Sequence, residues 1–438
     1  MKQSIERRAA FVAVAGVALA LALSACGGGG GGSSGNANVR LVNATSTRAS
    51  LDLLANGANA VTSIPADSAS NYAGVAAGSP TLQVNDTATG TALGTIAPSV
   101  GQGLHYALVA YESGGSLRTT VIQEDVAAPA AGTAAVRVID AATDAGAVDV
   151  YVTDPATDIT TLSSPSFTFG TSTTLQTSAF LSFTPGTYRV RVTGSGNPSD
   201  LRLDLGGVVL ASQEVGSLVL TPSIGGTLVN GGLLAEQASY TAGRNPNARV
   251  RLAAATTAGA TVSASAASAP IASNVGSPSV SGYVLVPATA ALNITVNGAS
   301  VGAPATALVA GSDTTLLVYG SAAAPTASLI TDDNHLPTSA SNLKLRLFNG
   351  LTVGAQALSL DAAFAVVASN VASGTASTYS VVASSTALQL DVFGANSVTP
   401  IWSSTSLSTP LSVPGNAVYT LFMLGDAAHP TALLRRDR

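Results

Sequence analysis

Cysteine, charged residues and aromatic residues are all scarce in this sequence. Cys26 is the single cysteine, so the chain cannot form an internal disulfide. Charged residues make up 9% of the 438 residues, and the net charge of −5 provides no field for steering onto nucleic acid. Arg435, Arg436 and Arg438 form a basic cluster that we interpret as a solvated chain end. We therefore expect neither a disulfide-stapled fold nor a nucleic-acid partner.

Small and β-branched residues dominate the chain instead. Hydrophobic residues account for 46% of the sequence, which is too many for a disordered protein. In Ala135–Val152 the apolar residues alternate with polar ones, as at Val148, Val150 and Val152, a pattern typical of a strand with one buried face. We predict a folded all-β protein whose exposed faces carry Ser, Thr and Asn.

The first 25 residues have the composition of a secretory signal. Lys2, Arg7 and Arg8 form a basic start, and the apolar stretch that follows is too short for a typical membrane-spanning helix. Residues 26–37 are rich in Gly and Ser, a composition typical of a flexible tether. The sequence therefore predicts an exported protein.

The end of the apolar stretch resembles the lipobox of bacterial lipoproteins. The matching residues are Leu23, Ser24, Ala25 and Cys26. The resemblance implies cleavage before Cys26, acylation of Cys26, and an outer-membrane location, because Gly27 rather than Asp follows the cysteine. The alternative is an ordinary secretory signal that happens to contain a cysteine. A lone cysteine has no disulfide partner, so lipid attachment explains it better.

An opening strand with arginine at its third position recurs four times. The copies are NVRLVNA, AVRVIDA, RVRLAAA and KLRLFNG, with Arg40, Arg137, Arg251 and Arg346. These arginines are 97, 114 and 95 residues apart, so each repeat is as long as a whole domain. Each repeat also closes with an apolar strand, a turn and a second strand. A mid-repeat tyrosine recurs as well, and we take its copies to be Tyr72, Tyr188, Tyr283 and Tyr379.

Proline-bearing stretches separate the repeats, and we expect a protease to cut there first, within 126–133, 239–247 and 334–342. Many short strands with closely spaced turns predict a tandem array of four Ig-like antiparallel β-sandwich modules. The predicted organisation is a signal peptide (1–25), a lipidated cysteine and tether (26–37), and four repeats (38–126, 134–238, 248–333 and 343–438).

The second repeat carries a resemblance to a known family. VRVIDAATDAGAVDVYV, followed by PGTYRVRV and a late apolar closing strand, resembles the bacterial envelope family called domain of unknown function 4397, or DUF4397. Repeat 134–238 matches best, and the other three match mainly at their opening and closing strands. The resemblance implies tandem Ig-like modules of the surface or periplasm with no established chemistry. The family has His and Pro in the loop that here holds Asp140, Thr143 and Gly146, so no loop function is carried over.

The acidic loop inside that motif is the first candidate for a chemical site. Asp140, Asp144 and Asp149 offer oxygen ligands of the kind that Ca²⁺ prefers. Their spacing is not that of an EF-hand, and the same loop of each other repeat has at most one acid. Asp149 lies in an alternating strand, where we expect it to face solvent. We interpret the loop as a structural turn and predict no metal site.

Histidine and tryptophan offer few alternatives. His105, His335 and His429 fall in different repeats or in the joints between them, so they cannot form one zinc site. A Ser-His-Asp triad would have to use His105, which we interpret as a strand-edge residue. Trp402, the single tryptophan, is interpreted as a packing residue. We predict no catalytic residue, no cofactor and no enzymatic activity.

The repeated arginines suggest a structural pairing with acids that close the repeats. These acids are Glu124-Asp125, Glu236, Asp332-Asp333 and Asp437. Because the first and last strands of Ig-like sandwiches commonly lie side by side, we hypothesise that each arginine pairs with the closing acid of its own repeat, as Arg137 would with Glu236. The alternative is a solvent-facing arginine whose stem covers apolar surface.

Two classes of function remain open. The first is a non-enzymatic outer-membrane lipoprotein, attached through its lipid, whose sandwiches form a structural or surface-display array. The second is a binding or adhesion module for a polysaccharide or another surface protein. The scarcity of aromatic residues outside alternating strands favours the first class. A groove rimmed by exposed aromatic residues would favour the second.

Overall fold

A computed structural model describes residues 35–438, which form four two-sheet β-sandwiches in tandem. The signal peptide, the lipobox with Cys26 and most of the tether lie outside the described residues. The described part contains no α-helix, and its three 3-10 turns span Thr143–Ala145, Ile159–Thr161 and Ser404–Ser406. Within it, no helix is long and apolar enough to cross a lipid bilayer. The prediction of four β-sandwich modules is confirmed.

Module 1 shows the strand arrangement that recurs along the chain. Its strands are β1 (Asn36–Ala44), β2 (Ser50–Ala55), β3 (Ala58–Pro65), β4 (Ser68–Ala69), β5 (Ala73–Ala76), β6 (Leu82–Asp86), β7 (Ala92–Ile96), β8 (His105–Ser113) and β9 (Ser116–Gln123). The sheet that contains the opening strand, called the opening sheet, has the order β4–β1–β8–β9, with β5 also paired to β1. The second sheet has the order β3–β2–β6–β7.

Module 2 has the same plan with one extra strand. Its strands are β10 (Ala134–Asp140), β11 (Val148–Thr153), β12 (Phe167–Phe169), β13 (Gln176–Thr177), β14 (Leu181–Phe183), β15 (Gly186–Gly194), β16 (Asn197–Leu210), β17 (Val215–Pro222), β18 (Val229–Ala235) and β19 (Tyr240–Gly243). The opening sheet has the order β13–β10–β17–β18–β19, with β14 on β10, and the second sheet is β12–β11–β15–β16. Because β19 pairs with β18, part of the stretch read as a linker at 239–247 belongs to this sheet.

Modules 3 and 4 repeat the plan of module 1. The strands of module 3 are β20 (Asn247–Thr256), β21 (Thr261–Ala266), β22 (Ala269–Gly276), β23 (Ser279–Val280), β24 (Val284–Pro287), β25 (Leu292–Val296), β26 (Ala299–Val301), β27 (Asp313–Ser321) and β28 (Ala324–Asp332). The strands of module 4 are β29 (Asn342–Val353), β30 (Leu358–Ala362), β31 (Ala365–Val371), β32 (Thr375–Ala376), β33 (Ser380–Ala383), β34 (Leu390–Gly394), β35 (Pro400–Ser403), β36 (Ala417–Asp426) and β37 (His429–Arg436).

The opening strand of each module runs parallel to a strand near the module's end. β1 pairs with β8, β10 with β17, β20 with β27 and β29 with β36, all in parallel register. The sandwiches are therefore antiparallel, as predicted, except for this one parallel ladder in each module. Between the two partners the chain crosses to the second sheet and returns, which provides the long connection that a parallel pair requires.

The strand that pairs with the opening strand is buried on both faces. In β8, Tyr106 and Leu108 belong to the core of module 1, whereas Ala107 and Val109 pack in a cluster that includes residues of module 2. A strand buried on both faces reads as a continuous apolar run rather than an alternating one. The opening sheets of modules 1 and 2 therefore pack against each other, each with its second face toward its own module core.

Two apolar seams join the modules in pairs. The first seam lies between modules 1 and 2 and contains Val42, Ala107, Val109, Ile139, Val219 and Leu234. The second seam lies between modules 3 and 4 and contains Ala253, Ala255, Leu317, Phe348, Phe422 and Leu424. In the second seam, the rings of Phe348 and Phe422 have centroids 4.7 Å apart.

Backbone contacts join one pair of modules to the other. The Gly225 N–H donates to the Gly311 carbonyl at 3.0 Å, and the Asn334 N–H donates to the Gly225 carbonyl at 3.0 Å. A Cβ on Gly226 would lie 2.5 Å from the His335 nitrogen, so only glycine permits this approach. Residues 35–438 consequently form one compact unit.

Candidate functional site

Each opening strand is accompanied by a serine followed two positions later by an aromatic residue. The Oγ atom of each serine accepts a hydrogen bond from the opening strand at 2.9–3.1 Å, and these serines are Ser70, Ser178, Ser281 and Ser377. The aromatic rings lie 4.5–4.8 Å from the guanidinium carbon of the repeated arginine, and they belong to Tyr72, Phe180, Tyr283 and Tyr379. This distance is typical of a cation–π contact.

The equivalent aromatic residue of module 2 is therefore Phe180, and the prediction of Tyr188 is wrong. Tyr188 lies in β15 of the second sheet, packs against the core of module 2, and donates a hydrogen bond to the Thr184 carbonyl at 2.8 Å. Its strand alternates as the sequence suggested, but that strand does not face the arginine.

Arg40 is buried in the first seam and binds both modules. Its Nε atom donates to Glu124 Oε2 at 2.8 Å, and its Nη2 atom also donates to the same carboxylate. The guanidinium then donates to the carbonyls of Ala238 at 2.7 Å and Ala235 at 2.9 Å in module 2. Since Arg40 is 1% exposed, its alternative role as a solvent-facing side chain is wrong.

Arg137 and Glu236 make a looser contact in the same seam. Their nearest nitrogen and oxygen atoms are 3.6 Å apart, and Arg137 Nε donates instead to Ser217 Oγ at 2.9 Å. Glu236 also accepts a hydrogen bond from the Val126 N–H at 3.0 Å, which links module 2 back to the end of module 1. Arg137 and Glu236 are therefore neighbours, but each makes its shortest hydrogen bond with a different partner.

In the second seam, the repeated arginine of each module binds the closing acid of the other module. Arg251 of module 3 donates to Asp437 of module 4, and Arg346 of module 4 donates to Asp332 of module 3. The two arginines are each 2% exposed, and Asp332 is fully buried. The hypothesis of pairing within one repeat is therefore wrong for Arg346. Asp332 also lies 3.5 Å from Arg251 of its own module, so this one acid is within reach of both arginines.

Hydroxyl groups complete the exchanged pairs. Asp332 accepts hydrogen bonds from Tyr283 and from Thr315 Oγ1, the latter at 2.7 Å. Asp437 accepts the equivalent bonds from Tyr379, at 3.1 Å, and from Thr420. Burial alone would raise the pKa of Asp332, but Arg346 and Arg251, together with the hydrogen bonds from Tyr283 and Thr315, outweigh it and lower that pKa. The cluster therefore holds its carboxylate ionised inside the seam.

The three carboxylates in and around the acidic loop of module 2 accept hydrogen bonds from three different backbone segments. Asp140 accepts from the Ala142 N–H at 3.0 Å, Asp144 from the Leu336 N–H at 3.0 Å, and Asp149 from the Gly196 N–H at 2.7 Å. The prediction that Asp149 faces solvent is wrong, because the turn after β15 folds over it and leaves it 4% exposed. Among residues 35–438, no group of three or more His, Cys, Asp or Glu side chains is arranged to hold a metal ion.

Asp140 is a buried carboxyl without a cationic partner. Burial raises its pKa to about 6, although the Ala142 N–H partly opposes the shift. At the same position of modules 1 and 4 stand Asn43 and Asn349, whose Oδ1 atoms accept the same backbone hydrogen bond at 3.2 Å. An amide therefore fits this site without the cost of ionisation.

Replacing Asp140 with asparagine is expected to stabilise the protein at neutral pH. A carboxyl whose folded-state pKa is raised gains stability as the pH falls through that value, so its ionisation costs up to about 3 kcal/mol above pH 7. Urea unfolding of residues 35–438 should show Asp140→Asn to be more stable than the wild type at pH 7.5, and the difference should vanish near pH 4.

Asp158 provides the control of opposite sign. Hydrogen bonds from the backbone N–H and hydroxyl of Thr160 lower the pKa of Asp158. Asp158→Asn should therefore lose stability at neutral pH rather than gain it. If the urea unfolding curves of Asp140→Asn and the wild type were the same at pH 7.5, ionisation of Asp140 would not destabilise the folded protein.

The three histidines lie in different elements and have different neighbours. His105 Nδ1 is 2.9 Å from Asp125 Oδ1, and its Nε2 atom meets the Asn38 amide at 3.2 Å, where a triad would need a serine hydroxyl. His335 lies 2.7 Å from Asp333 where modules 2 and 3 meet, and His429 begins β37. Trp402 packs against the core of module 4.

The C-terminal arginines do not all form a solvated end. Arg435 and Arg436 are exposed, but the Arg438 side chain is 12% exposed and lies at the contact between the module pairs. Its Nη1 atom donates to the carbonyls of Gly226 and Asn334. The interpretation of Arg438 as a solvated residue is wrong, because the last strand ends against module 2.

Comparison with known proteins gives one family match and a match to a solved structure. Residues 37–151 match the family model described as Domain of unknown function (DUF4397). No curated protein matches the chain. One solved structure, described as a "putative cell adhesion protein from Bacteroides uniformis ATCC 8492", aligns with 46% of this chain and 98% of its own, at 13% identity and a TM-score of 0.21.

The family match covers module 1 and ends at Tyr151, inside β11 of module 2. The sequence had placed the strongest resemblance in residues 134–238, whereas the match covers only the first two strands of that repeat. The same strand order recurs to the end of the chain. Residues 37–151, at the start of the array of four β-sandwich modules, are therefore similar to the DUF4397 family model.

Proposed function

We propose that this protein is a non-enzymatic lipoprotein of the outer membrane, in which Cys26 carries the lipid and residues 35–438 form a structural body. The observation that carries the anchor is the lone Cys26 at the end of the apolar segment, in the lipobox-like sequence Leu23-Ser24-Ala25-Cys26. Two or more acyl chains on one residue hold a protein firmly on a membrane, whereas a single chain does not.

The arrangement of residues 35–438 supports a structural role for the body. The repeated arginines lie in the seams between modules, with 1–2% exposure for Arg40, Arg251 and Arg346. Their carboxylate partners are bound to hydroxyl and guanidinium groups of the same seams. The most distinctive charged residues of the repeat thus serve the assembly of modules, which suits a body that holds its shape beyond a membrane.

Substituting Cys26 with serine tests the anchor. The variant should be made without lipid and should leave the membrane fraction, because no other thiol can accept the lipid. Envelope fractionation and intact-protein mass spectrometry measure both effects. A matched control combines Cys26→Ser with Ser34→Cys, which restores a thiol away from the lipobox and should also lack lipid. A Cys26→Ser protein that still carries lipid would overturn the proposal.

A binding role is the second candidate, and one observation favours it. The second sheet of module 4 carries a groove of about 420 Å³ that is lined by polar side chains and by Phe393. A concavity of this size that combines an aromatic side chain with several hydrogen-bonding groups offers both kinds of contact that a ligand site uses.

A further inference from the structure

The groove of module 4 lies on the outward face of its second sheet. In β30, Leu358, Leu360 and Ala362 point into the module core, so Ser359 and Asp361 point outward. On the neighbouring strand β34, Phe393 lies opposite Ser359, and it lines the groove with both residues. The groove is thus an exposed part of a sheet whose other face is a packed core.

Ser359 and Ser397 of this groove are hydrogen-bonded to the protein, but three other polar side chains that line it are not. The side chains of Asp361, Asn370 and Asn396 line it and make no hydrogen bond with other described residues. Asp361 also lies directly opposite Asp391 on β34, and two like charges in that position destabilise a sheet. A ligand that donates hydrogen bonds to Asp361 would offset this cost.

The corresponding face of module 1 shows a contrasting arrangement. Asp52 occupies the position of Ser359 and accepts hydrogen bonds from the Ser63 N–H at 2.7 Å and the Thr87 hydroxyl at 2.8 Å. Asn85 stands where module 4 has Phe393, and it accepts from Gln83 at 2.8 Å. Module 1 therefore satisfies these polar groups internally and has no aromatic ring among them.

Two apolar side chains that line the groove are exposed to solvent. Val366 is 68% exposed and Val398 is 95% exposed, and both line the groove. Phe364, two residues before Val366 at the tip of the same hairpin, is 79% exposed and has a φ of 66°. A bulky residue in this left-handed conformation is strained, and strain of this kind concentrates at functional sites.

We propose that this groove binds a neutral saccharide chain. A sugar ring combines apolar C–H faces, which would pack on Phe393 and Val398, with hydroxyl groups, which would donate to Asp361 and bond to the amides of Asn370 and Asn396. The carboxylates of Asp361 and Asp391 disfavour an acidic chain, because no basic side chain lines the groove. This site goes beyond the proposed anchoring role and does not depend on the lipid.

A glycan array probed with residues 35–438 tests the proposal. Neutral hexose and N-acetylhexosamine oligosaccharides should bind, and uronate-containing chains should bind more weakly. In titration calorimetry with the best neutral oligosaccharide, Asp361→Ala and Asn370→Ala should each weaken binding about tenfold or more, since each removes a hydrogen bond to the ligand. The unfolding midpoint of Asp361→Ala should stay near that of the wild type, because the Asp361 side chain makes no hydrogen bond with other described residues. Asn370 has a φ of 51°, which asparagine tolerates better than alanine, so the midpoint of Asn370→Ala should fall slightly, and its fold is checked by circular dichroism.

Asn85→Ala is the matched control, since it changes the equivalent face of module 1 and should leave saccharide binding unchanged. Phe393→Ala should abolish binding, and its fold is checked by circular dichroism. Three outcomes would overturn the proposal: no neutral saccharide bound at millimolar concentration, binding insensitive to Asp361→Ala and Asn370→Ala, or a preference for acidic chains or for a protein ligand. None of these outcomes bears on Cys26, so failure of the saccharide proposal would leave the proposal of a lipid anchor unaffected.

Discussion

Replacing Asp332 with alanine is expected to lower the free energy of unfolding of residues 35–438 by about 3–5 kcal/mol, because it leaves the buried Arg346 without its counter-charge and removes a second carboxylate from Arg251. Asp332 is fully buried, binds Arg346 directly and lies 3.5 Å from Arg251. Both arginines are 2% exposed, so water cannot replace the lost carboxylate. Urea unfolding followed by circular dichroism measures the effect.

A surface ion pair of similar chemistry provides the control for Asp332. Arg189 and Asp204 form a salt bridge at 2.5 Å, but their side chains are 37% and 20% exposed. Asp204→Ala should therefore cost no more than about 1 kcal/mol. If Asp332→Ala were as mild as Asp204→Ala, the exchanged pairs would not stabilise the second seam.

The effect of Asp332→Ala should also depend on pH. The pKa of Asp332 lies below its ordinary value, because the two arginines and the hydrogen bonds from Tyr283 and Thr315 outweigh burial. A group with a lowered pKa contributes its stability above its unfolded-state pKa and loses it as the pH falls through the folded-state value. The difference between wild type and variant should consequently be largest at neutral pH and shrink in acid.

Replacing Phe422 with alanine is the second change with a large expected effect, a loss of about 3–5 kcal/mol. Phe422 is fully buried in the second seam, stacks on Phe348 with centroids 4.7 Å apart, and lies under the Arg251 guanidinium at 4.9 Å. Its removal would leave a cavity between two packed modules. Thermal and urea unfolding of residues 35–438 measure the loss.

Phe364 is the matched control for Phe422. It is also in module 4, but it is 79% exposed, so Phe364→Ala should change stability by no more than about 0.5 kcal/mol. Similar losses for the two variants would mean that the second seam is not a packed interface.

The division of the chain into modules could be predicted because its signals are local. Alternation such as that of Val148, Val150 and Val152 reports one buried face, and the repeated opening strands mark the module starts. The pairing of modules could not be predicted by the same reasoning. It buries the second face of the opening sheets, and an alternating pattern predicts that this face is exposed to solvent. The continuous apolar runs YALVAY and YTLFML contained that information, since a strand reads this way when both of its faces are buried.

The arginine clusters were predictable in part. The recurrence of Arg40 and its three counterparts indicated a structural role, and Glu124 was a reasonable partner for Arg40. The exchange of Asp332 and Asp437 between modules was not predictable, because it depends on how two equivalent sheets face each other. The Ser-X-aromatic motif of Ser70 and Tyr72 was present in all four repeats, but the serine acts through a hydrogen bond to a strand about 30 or more residues earlier, for which the sequence has no local signal.

Cleavage of the loop between modules 1 and 2 tests most directly whether the modules are joined by buried seams. A site for a specific protease would be inserted among residues 127–132, an exposed loop outside the strands, and the cut protein would be examined by size-exclusion chromatography. The two fragments should elute together in native buffer and separate only in denaturant, because Arg40 and the first seam hold module 1 against module 2. Separation of a free module 1 in native buffer would contradict the account and show that the modules are independent domains on a flexible string.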